Sequence, residues 1–326
     1  MTRPVRLRRL AQVQETLISN QDPNIIDEDA PRRSAGGVTI VVPAYNEENG
    51  IAGVVERLSG LELGVPKTVL VVDDGSTDGT AARLEELRGR FPELRVHRHR
   101  RNRGYGAALK TGFSMAKTEV VVITDADGTY PEDRITDLLS SVDAGFDMAV
   151  GARLGNEVHI PLIRRPAKWA LRQLASFLAG ARIPDLNSGL RAFRREFVLE
   201  YRPILPDGFS FTTTITLAAM TNGHPVDYVT IDYAARSGSS KIRPIRDTLG
   251  FTALIIRTVL YFNPLKVFYP MALMLLLVLL GSLGYDIWLD ESAPNLSDKT
   301  VLVFVALLQV LSVGLLADLI EKKSRL

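Results

Sequence analysis

The sequence predicts an α/β fold: a mostly parallel sheet covered by helices on both faces, followed by a hairpin of two apolar helices. Three observations carry this prediction. Short β-branched apolar runs alternate with helical patterns over residues 38–241. Three of those runs stop at clusters of acidic and small residues. Mean hydropathy reaches +0.08 although 23% of the residues are charged, because the apolar residues are concentrated near the C-terminal end.

The apolar runs come in order. Residues 38–42 (VTIVV) stop at Pro43, and residues 68–72 (TVLVV) stop at Asp73-Asp74-Gly75. A third short run surrounds 95–97, a fourth, 119–123 (EVVVI), stops at Asp125, and a fifth is 148–150 (MAV). Helical patterns lie between them, among them 78–90 and 104–116. Continuous apolar strands separated by helices form parallel sheets buried on both faces. Such sheets bind ligands at the carboxyl ends of their strands.

At 326 residues the chain has room for one large domain or two ordinary ones. With 46% hydrophobic residues it can bury a sizeable core, which excludes a disordered polyelectrolyte. The 39 basic and 37 acidic side chains leave +2, too little for bulk phosphate-backbone binding, so no nucleic-acid partner is expected. Without cysteine there is no disulfide, thiolate nucleophile or cysteine-zinc site, and four histidines make a histidine-rich metal site a poor expectation.

Residues 267–285 carry no charge, and Ile287, Trp288 and Leu289 extend that segment past Asp286. Residues 300–317 are likewise uncharged. Each reaches the length needed to cross a hydrocarbon core of about 30 Å. The connection 290–299 is polar and net acidic, whereas Arg257 and Lys266 precede the hairpin and Lys322, Lys323 and Arg325 follow it. The positive-inside rule then places both outer ends in the cytoplasm. Beyond Lys266 stand six acidic and four basic side chains, against 31 and 35 up to and including it, so the positive excess lies on the cytoplasmic side. No apolar h-region follows the start, so no signal peptide is expected.

Residues 242–262 are amphipathic, with Ile245, Leu249, Leu254, Ile255, Val259 and Leu260 at three- and four-residue steps. The pattern suits a helix in the bilayer interface or one packed on the soluble domain, and proximity to the spans favours the interface. Arg3, Arg6, Arg8 and Arg9 open the chain, in a segment that reads as a mobile arm or as one short amphipathic helix touching anionic lipid or a neighbouring subunit. The expected division is an arm at 1–37, an α/β domain at 38–241, an interfacial helix at 242–265 and a membrane part at 266–326. The last holds helices at about 267–289 and 300–318 and a cytoplasmic tail. A membrane domain this small is expected to pack against copies of itself, giving a homo-oligomer.

The strand ends carry the chemistry. They read Pro43-Ala44-Tyr45-Asn46-Glu47-Glu48, then Asp73-Asp74-Gly75-Ser76-Thr77-Asp78-Gly79-Thr80, then Asp125-Ala126-Asp127-Gly128. Carboxylates beside a phosphate ligand call for a divalent cation between them. Asp125 and Asp127, two apart at a strand end, offer hard oxygen ligands suited to Mg²⁺ or Mn²⁺ shared with a diphosphate. Helix capping accounts for Asp78, or for either of the pair alone, but poorly for three acidic strand ends in one sheet. A dinucleotide fingerprint needs a glycine-rich turn after the first strand, where Pro43-Ala44-Tyr45 stands instead. A P-loop and a serine-hydrolase elbow are also absent.

Together the three clusters resemble the inverting glycosyltransferases of family 2, with the GT-A fold of nucleotide-diphospho-sugar transferases. The motifs Asn102-Arg103-Gly104-Tyr105-Gly106, Asp185-Leu186-Asn187-Ser188-Gly189-Leu190-Arg191, Gly208-Phe209-Ser210-Phe211 and Arg236-Ser237-Gly238-Ser239-Ser240-Lys241 sharpen the likeness. They resemble those of the polyprenyl-phosphate glycosyltransferases, the subgroup of dolichol-phosphate mannose synthase and bactoprenol glucosyltransferases. The resemblance runs from residue 38 to the end and fits the two C-terminal spans.

The resemblance implies roles for individual residues. Pro43, Tyr45 and Glu47 line the nucleotide, Glu47 on its ribose. Asp74, with Asp73 beside it, reaches the base, and Lys110 lies near the nucleotide. Asp125 and Asp127 meet the metal and the diphosphate. Thr129 stands where the family often has a glutamine ligand, and its hydroxyl or a water substitutes. Arg153 and one of Arg164 and Arg165 bind the lipid phosphate, while Arg191, Arg236 and Lys241 add positive charge near the phosphates. For Arg164 and Arg165 the other reading is attraction to the membrane surface.

The activity so implied is metal-dependent transfer of a sugar from a UDP- or GDP-linked donor to polyprenyl phosphate. The product is a β-linked lipid phosphate, formed at the cytoplasmic face. Three other readings stand beside it. A processive polysaccharide synthase would carry a Gln-x-x-Arg-Trp motif, which neither Trp169 nor Trp288 supplies. A sugar nucleotidyltransferase would have a basic, glycine-rich first loop. A non-catalytic scaffold would have no need of an intact Asp125-Ala126-Asp127.

Overall fold

The computed structural model describes residues 36–154, 165–233, 244–289 and 296–324, with the backbone alone at 165–168, 170, 244–251, 289 and 324. The expected arm up to residue 35, Arg164, Arg236, Lys241, Arg325 and residues 290–295 of the acidic connection lie outside the described residues, as do the side chains of Arg165, Ile245 and Leu249.

Seven strands form one sheet: β1 (Val38–Ala44), β2 (Lys67–Asp73), β3 (Leu94–Arg98), β4 (Val120–Ile123), β5 (Met148–Arg153), β6 (Arg191–Arg194) and β7 (Val226–Ile231). Their order is β3-β2-β1-β4-β6-β5-β7. Pairings are parallel except those of β6, which runs antiparallel to both β4 and β5. β1 is buried along its whole length, as a central strand covered on both faces must be. The expected stop at Pro43 is not observed: Pro43 continues β1 opposite Val72 and Ala44 opposite Asp73. β6 and β7 carry no pattern that the apolar runs announce.

Helices α1 (Ile51–Gly60), α2 (Thr80–Arg90), α3 (Tyr105–Met115), α4 (Ile135–Asp143), α5 (Arg165–Ala179), α6 (Arg195–Tyr201) and α7 (Phe211–Thr221) connect the strands. Ile40, Val42, Val54, Val71, Leu84 and Leu138 pack on one face of the sheet, and Val41, Val72, Phe113, Val121, Phe193 and Ile215 on the other. This is the period of two expected of a pleated strand between two helical layers.

α8 (Pro244–Phe262) buries Ile255 and Val259 against Ala175, Leu178 and Leu217 of α5 and α7. One face of this helix therefore packs on the α/β domain, while Arg257 and Tyr261 stay exposed. α9 (Leu265–Leu289) and α10 (Asp298–Ser324) pair through Ala272, Leu279 and Leu307, and Gly314 lies against Phe268. Apart from that seam their apolar side chains face outward, Leu277, Leu302 and Leu316 among them. Candidate spans of 24 and 26 residues follow. At about 1.5 Å per residue each exceeds the hydrocarbon thickness.

Candidate functional site

β1 lies between β2 and β4, and the polar residues that follow these three strands meet at their carboxyl ends. β6, being antiparallel, begins at the same end: Arg191 pairs with both Ile123 and Val150. Topology thus gathers the first, second and fourth strand ends, Arg153 at the end of β5 and the 185–190 segment into one place.

The first two loops lock together through reciprocal bonds. Asn46 adopts φ 56°, its N–H donates to Ser76 Oγ (3.0 Å), and its Oδ1 accepts from Thr77 N–H (2.9 Å). Glu47 N–H donates to Thr80 Oγ1 (2.9 Å), and Glu48 Oε2 accepts from Gly79 N–H (2.8 Å). Asp78 accepts from Thr80 N–H at 3.0 Å, the capping role weighed for it from sequence. Tyr45 stands exposed at the rim, Glu47 is half-buried, and Pro43 is buried within its strand.

Asp73 and Asp74 are buried. Asp73 Oδ1 accepts from Ser76 N–H (2.8 Å), and Arg98 lies 3.1 Å from its Oδ2. Asp74 accepts from the N–H groups of Arg103 and Gly104 (2.7 Å for Gly104) and meets His99 Nδ1 at 2.7 Å. It therefore fastens the 99–104 segment to the end of β2. Gly104 at φ 103° completes that turn, and a Cβ there would lie 2.5 Å from the Asp207 carbonyl oxygen.

Asp125 and Asp127 follow β4. Asp125 Oδ1 accepts from the Tyr105 hydroxyl (3.0 Å). Burial, then the Asp125 charge, hold the Tyr105 pKa well above its ordinary value, so the hydroxyl stays a donor. Gly189 backs onto Asp125: a Cβ would lie 2.8 Å from both carboxylate oxygens. Gly189 N–H donates to Tyr130 Oη at 2.6 Å. Asp127 Oδ1 accepts from both the N–H (3.2 Å) and the hydroxyl (2.7 Å) of Thr129. Thr129 is buried and holds Asp127 in place. Arg57 grips buried Glu132 with two bonds of 2.8 Å, tying α1 to the segment beyond Asp127. Among the described residues no cluster of three or more His, Cys, Asp or Glu side chains could hold a metal. The donor set fits Mg²⁺ or Mn²⁺ only as two hard carboxylates whose remaining ligands come with an oxygen-rich substrate.

Arg153 is bound by Asp185: Nε to Oδ2 (2.7 Å), Nη2 to Oδ1 (2.9 Å), and its own N–H to Oδ2 (3.1 Å). Burial by itself would raise the Asp185 pKa, but Arg153 and neighbouring N–H groups outweigh it and bring it to about 2. The guanidinium also lies 5.2 Å from the centre of the Tyr233 ring. Nη1 makes no hydrogen bond among the described residues.

Two predicted positions differ in place. Arg191 does not face the opening. It is fully buried, and its guanidinium donates to Leu186 O (3.0 Å), Ser188 O (2.8 Å) and Thr216 Oγ1 (2.6 Å), bracing the 186–188 backbone from behind. Burial lowers its pKa. Lys110 is engaged elsewhere, its Nζ bound to Leu205 O (2.9 Å) and to Asp207 (2.5 Å). Tyr105, Tyr130, Asp185 and Tyr233 are site residues that carry no role in the sequence reading. Tyr105 and Asp185 lie inside motifs quoted above, whereas nothing local signals Tyr130 or Tyr233.

Comparison with known proteins bears on the family and the fold. A family model described as Glycosyl transferase family 2 matches residues 39–202, and one described as GtrB C-terminal hairpin matches residues 263–322. The polyprenol monophosphomannose synthase of Mycolicibacterium smegmatis is 34% identical over 228 residues, 66% of this chain and 84% of the relative. The dolichyl-phosphate hexose transferase of Haloferax volcanii is 32% identical, over 64% of this chain and 87% of its own. Glucosyl-3-phosphoglycerate synthase from Mycobacterium tuberculosis, solved with Mn²⁺, UDP and phosphoglyceric acid, shares the fold. Its TM-score is 0.54 at 22% identity, over 70% of this chain and 78% of that one.

Proposed function

The chain belongs to glycosyl transferase family 2, as a polyprenyl-phosphate glycosyltransferase, and from that premise we propose the reaction's finer terms. The donor is a nucleoside-diphosphate sugar, UDP- or GDP-linked, and the transfer is metal-dependent and inverting. The product is a β-linked polyprenyl-phosphate sugar made at the cytoplasmic face of the plasma membrane. The observation that carries this reading is the meeting of Asp125 and Asp127 with the first two loops on one side and Arg153 on the other. A donor diphosphate and an acceptor phosphate then have separate places at one strand end.

The roles follow from the groups. Pro43, Tyr45, Glu47, Asp73 and Asp74 frame the nucleoside, with the locked loops fixing the pocket before the donor arrives. Asp125 and Asp127 hold Mg²⁺ or Mn²⁺, which when bound offsets the charge of the diphosphate. Arg153 takes the acceptor phosphate through Nη1 while Asp185 fixes its plane. Arg165, with Arg164, Arg236 and Lys241, is a candidate for the same anion. An acceptor phosphate oxygen bonds to the anomeric carbon as the bond from that carbon to the diphosphate oxygen breaks. No proton need move, because a phosphate dianion is already nucleophilic. The chain's contribution is to hold two anions in line and meet the charge that develops on the leaving group.

Residues 38–241 form the catalytic domain in this reading, residues 242–265 the link to the membrane, and α9 and α10 the anchor. The charge asymmetry about the hairpin supports the cytoplasmic orientation. Membranes carrying the protein, incubated with a panel of labelled nucleotide sugars and polyprenyl phosphate, should yield a labelled lipid that EDTA abolishes. If no donor labels the lipid, the reading fails. Labelling untouched by EDTA would remove the metal.

A further inference from the structure

We propose that Phe209 and Tyr105 form an aromatic shelf that receives the first isoprene units of the acceptor, an inference that rests on polyprenyl phosphate being the acceptor. Phe209 is 82% exposed, the most exposed large apolar side chain among the described residues. It is nonetheless held in place. Its ring stacks on that of Tyr105 with centroids 5.5 Å apart and planes 19° apart. The segment beneath it is fixed on both sides: Asp207 O accepts from Ala107 N–H (3.1 Å), Lys110 binds Leu205 O and the Asp207 carboxylate, and Phe211 N–H donates to Gly208 O (3.3 Å). Gly104 and Gly106 let α3 approach this segment with no side chain between.

The outer face of the stacked ring is held toward water, so the free energy of burying it is available to an apolar ligand. Position supplies the occupant. The Tyr105 hydroxyl is on Asp125, so the stacked rings begin at the carboxylate where the chemistry is placed. Phe209 also stands just before α7, which packs against α8, the helix that runs directly into the first apolar span. The ring pair thus joins the Asp125 carboxylate, through the start of α7, to the helices that lead into the first apolar span, the route a lipid tail takes from its charged phosphate toward hydrocarbon. Unsaturated isoprene units, which have no polar group to satisfy, suit a stacked aromatic surface.

The test uses the full chain in detergent, with a donor chosen from the labelled panel and two acceptors, a long polyprenyl phosphate and geranyl phosphate. Phe209→Ala should raise KM for both acceptors about tenfold with donor KM and kcat unchanged, and Phe209→Tyr should restore the wild-type value. A rise in donor KM instead would assign the shelf to the sugar and overturn the proposal. So would a defect with the long acceptor alone, which would mean that Phe209 touches bilayer or distal chain. Transfer by the wild type with unchanged acceptor KM in Phe209→Ala and Phe209→Leu would reject the shelf and leave the function standing. Absence of transfer by the wild type from any donor would sink both.

Discussion

Arg153 and Asp185 face each other as two parallel forks, Nε to Oδ2 at 2.7 Å and Nη2 to Oδ1 at 2.9 Å, across 32 residues of sequence. The pair joins the end of β5 to the segment that leads into β6. Removing the carboxylate leaves a mostly buried guanidinium without its counter-charge, so Asp185→Ala should lose about 3 kcal/mol of stability. The pH dependence has a definite sign. Asp185 titrates at about 2 in the fold against an ordinary 3.8, so its contribution is complete above about pH 4 and fades as pH falls toward 2. Thermal unfolding of the detergent-solubilised chain should show a drop over that window that Asp185→Asn lacks. An identical acid profile in the two proteins would refute the assignment.

Thr129 acts on Asp127 rather than beside it. Its hydroxyl and its N–H both donate to Asp127 Oδ1, and the side chain is buried. Thr129→Val removes one of the two bonds that Thr129 donates to Asp127 Oδ1 and leaves the weaker N–H bond to orient the carboxylate. Turnover should fall about tenfold, the equivalent of roughly 1.4 kcal/mol. Thr129→Ser should retain activity. Asp127→Ala, which removes the carboxylate itself, should abolish turnover with the fold intact, as checked by an unchanged unfolding temperature.

How far the sequence reveals this site depends on distance along the chain. β1, β2 and β4 are legible because their β-branched runs and acidic stops are local, and Asp125 and Asp127 are legible because a single residue separates them. β6 is four residues with an arginine at each end, and it becomes a strand only because Ile123 and Val150 pair with Arg191. The partnership of Tyr130 with Gly189 spans 59 residues and leaves no local trace. Arg191 reads as an exposed cation because arginine usually is one. Its burial is decided by the carbonyl groups that fold around it.

Those carbonyls define a further prediction. Arg191 supplies donors to Leu186 O and Ser188 O at once, the fork geometry that only a guanidinium offers. Arg191→Met leaves both acceptors buried and unpaired, at about 1–3 kcal/mol each. Arg191→Lys, a single point donor, should recover only part of that. The same segment carries Gly189 against Asp125, so both variants should lose kcat along with unfolding temperature. A stable, fully active Arg191→Met would show that the brace is dispensable.

The Tyr105 hydroxyl separates the two jobs assigned to this side chain. The ring makes the shelf with Phe209, whereas the hydroxyl donates to Asp125. Tyr105→Phe keeps the first and removes the second, so kcat should fall about tenfold while acceptor KM stays near wild type. The hydroxyl's pKa is raised well above 10 by burial and by Asp125, so it stays protonated throughout the working range. The ratio of wild-type to Tyr105→Phe kcat should then be flat from about pH 6 to pH 9. A ratio that collapses toward one as pH rises would mean that the hydroxyl loses its proton within that range. The Asp125 bond would then be a titrating one rather than a fixed support.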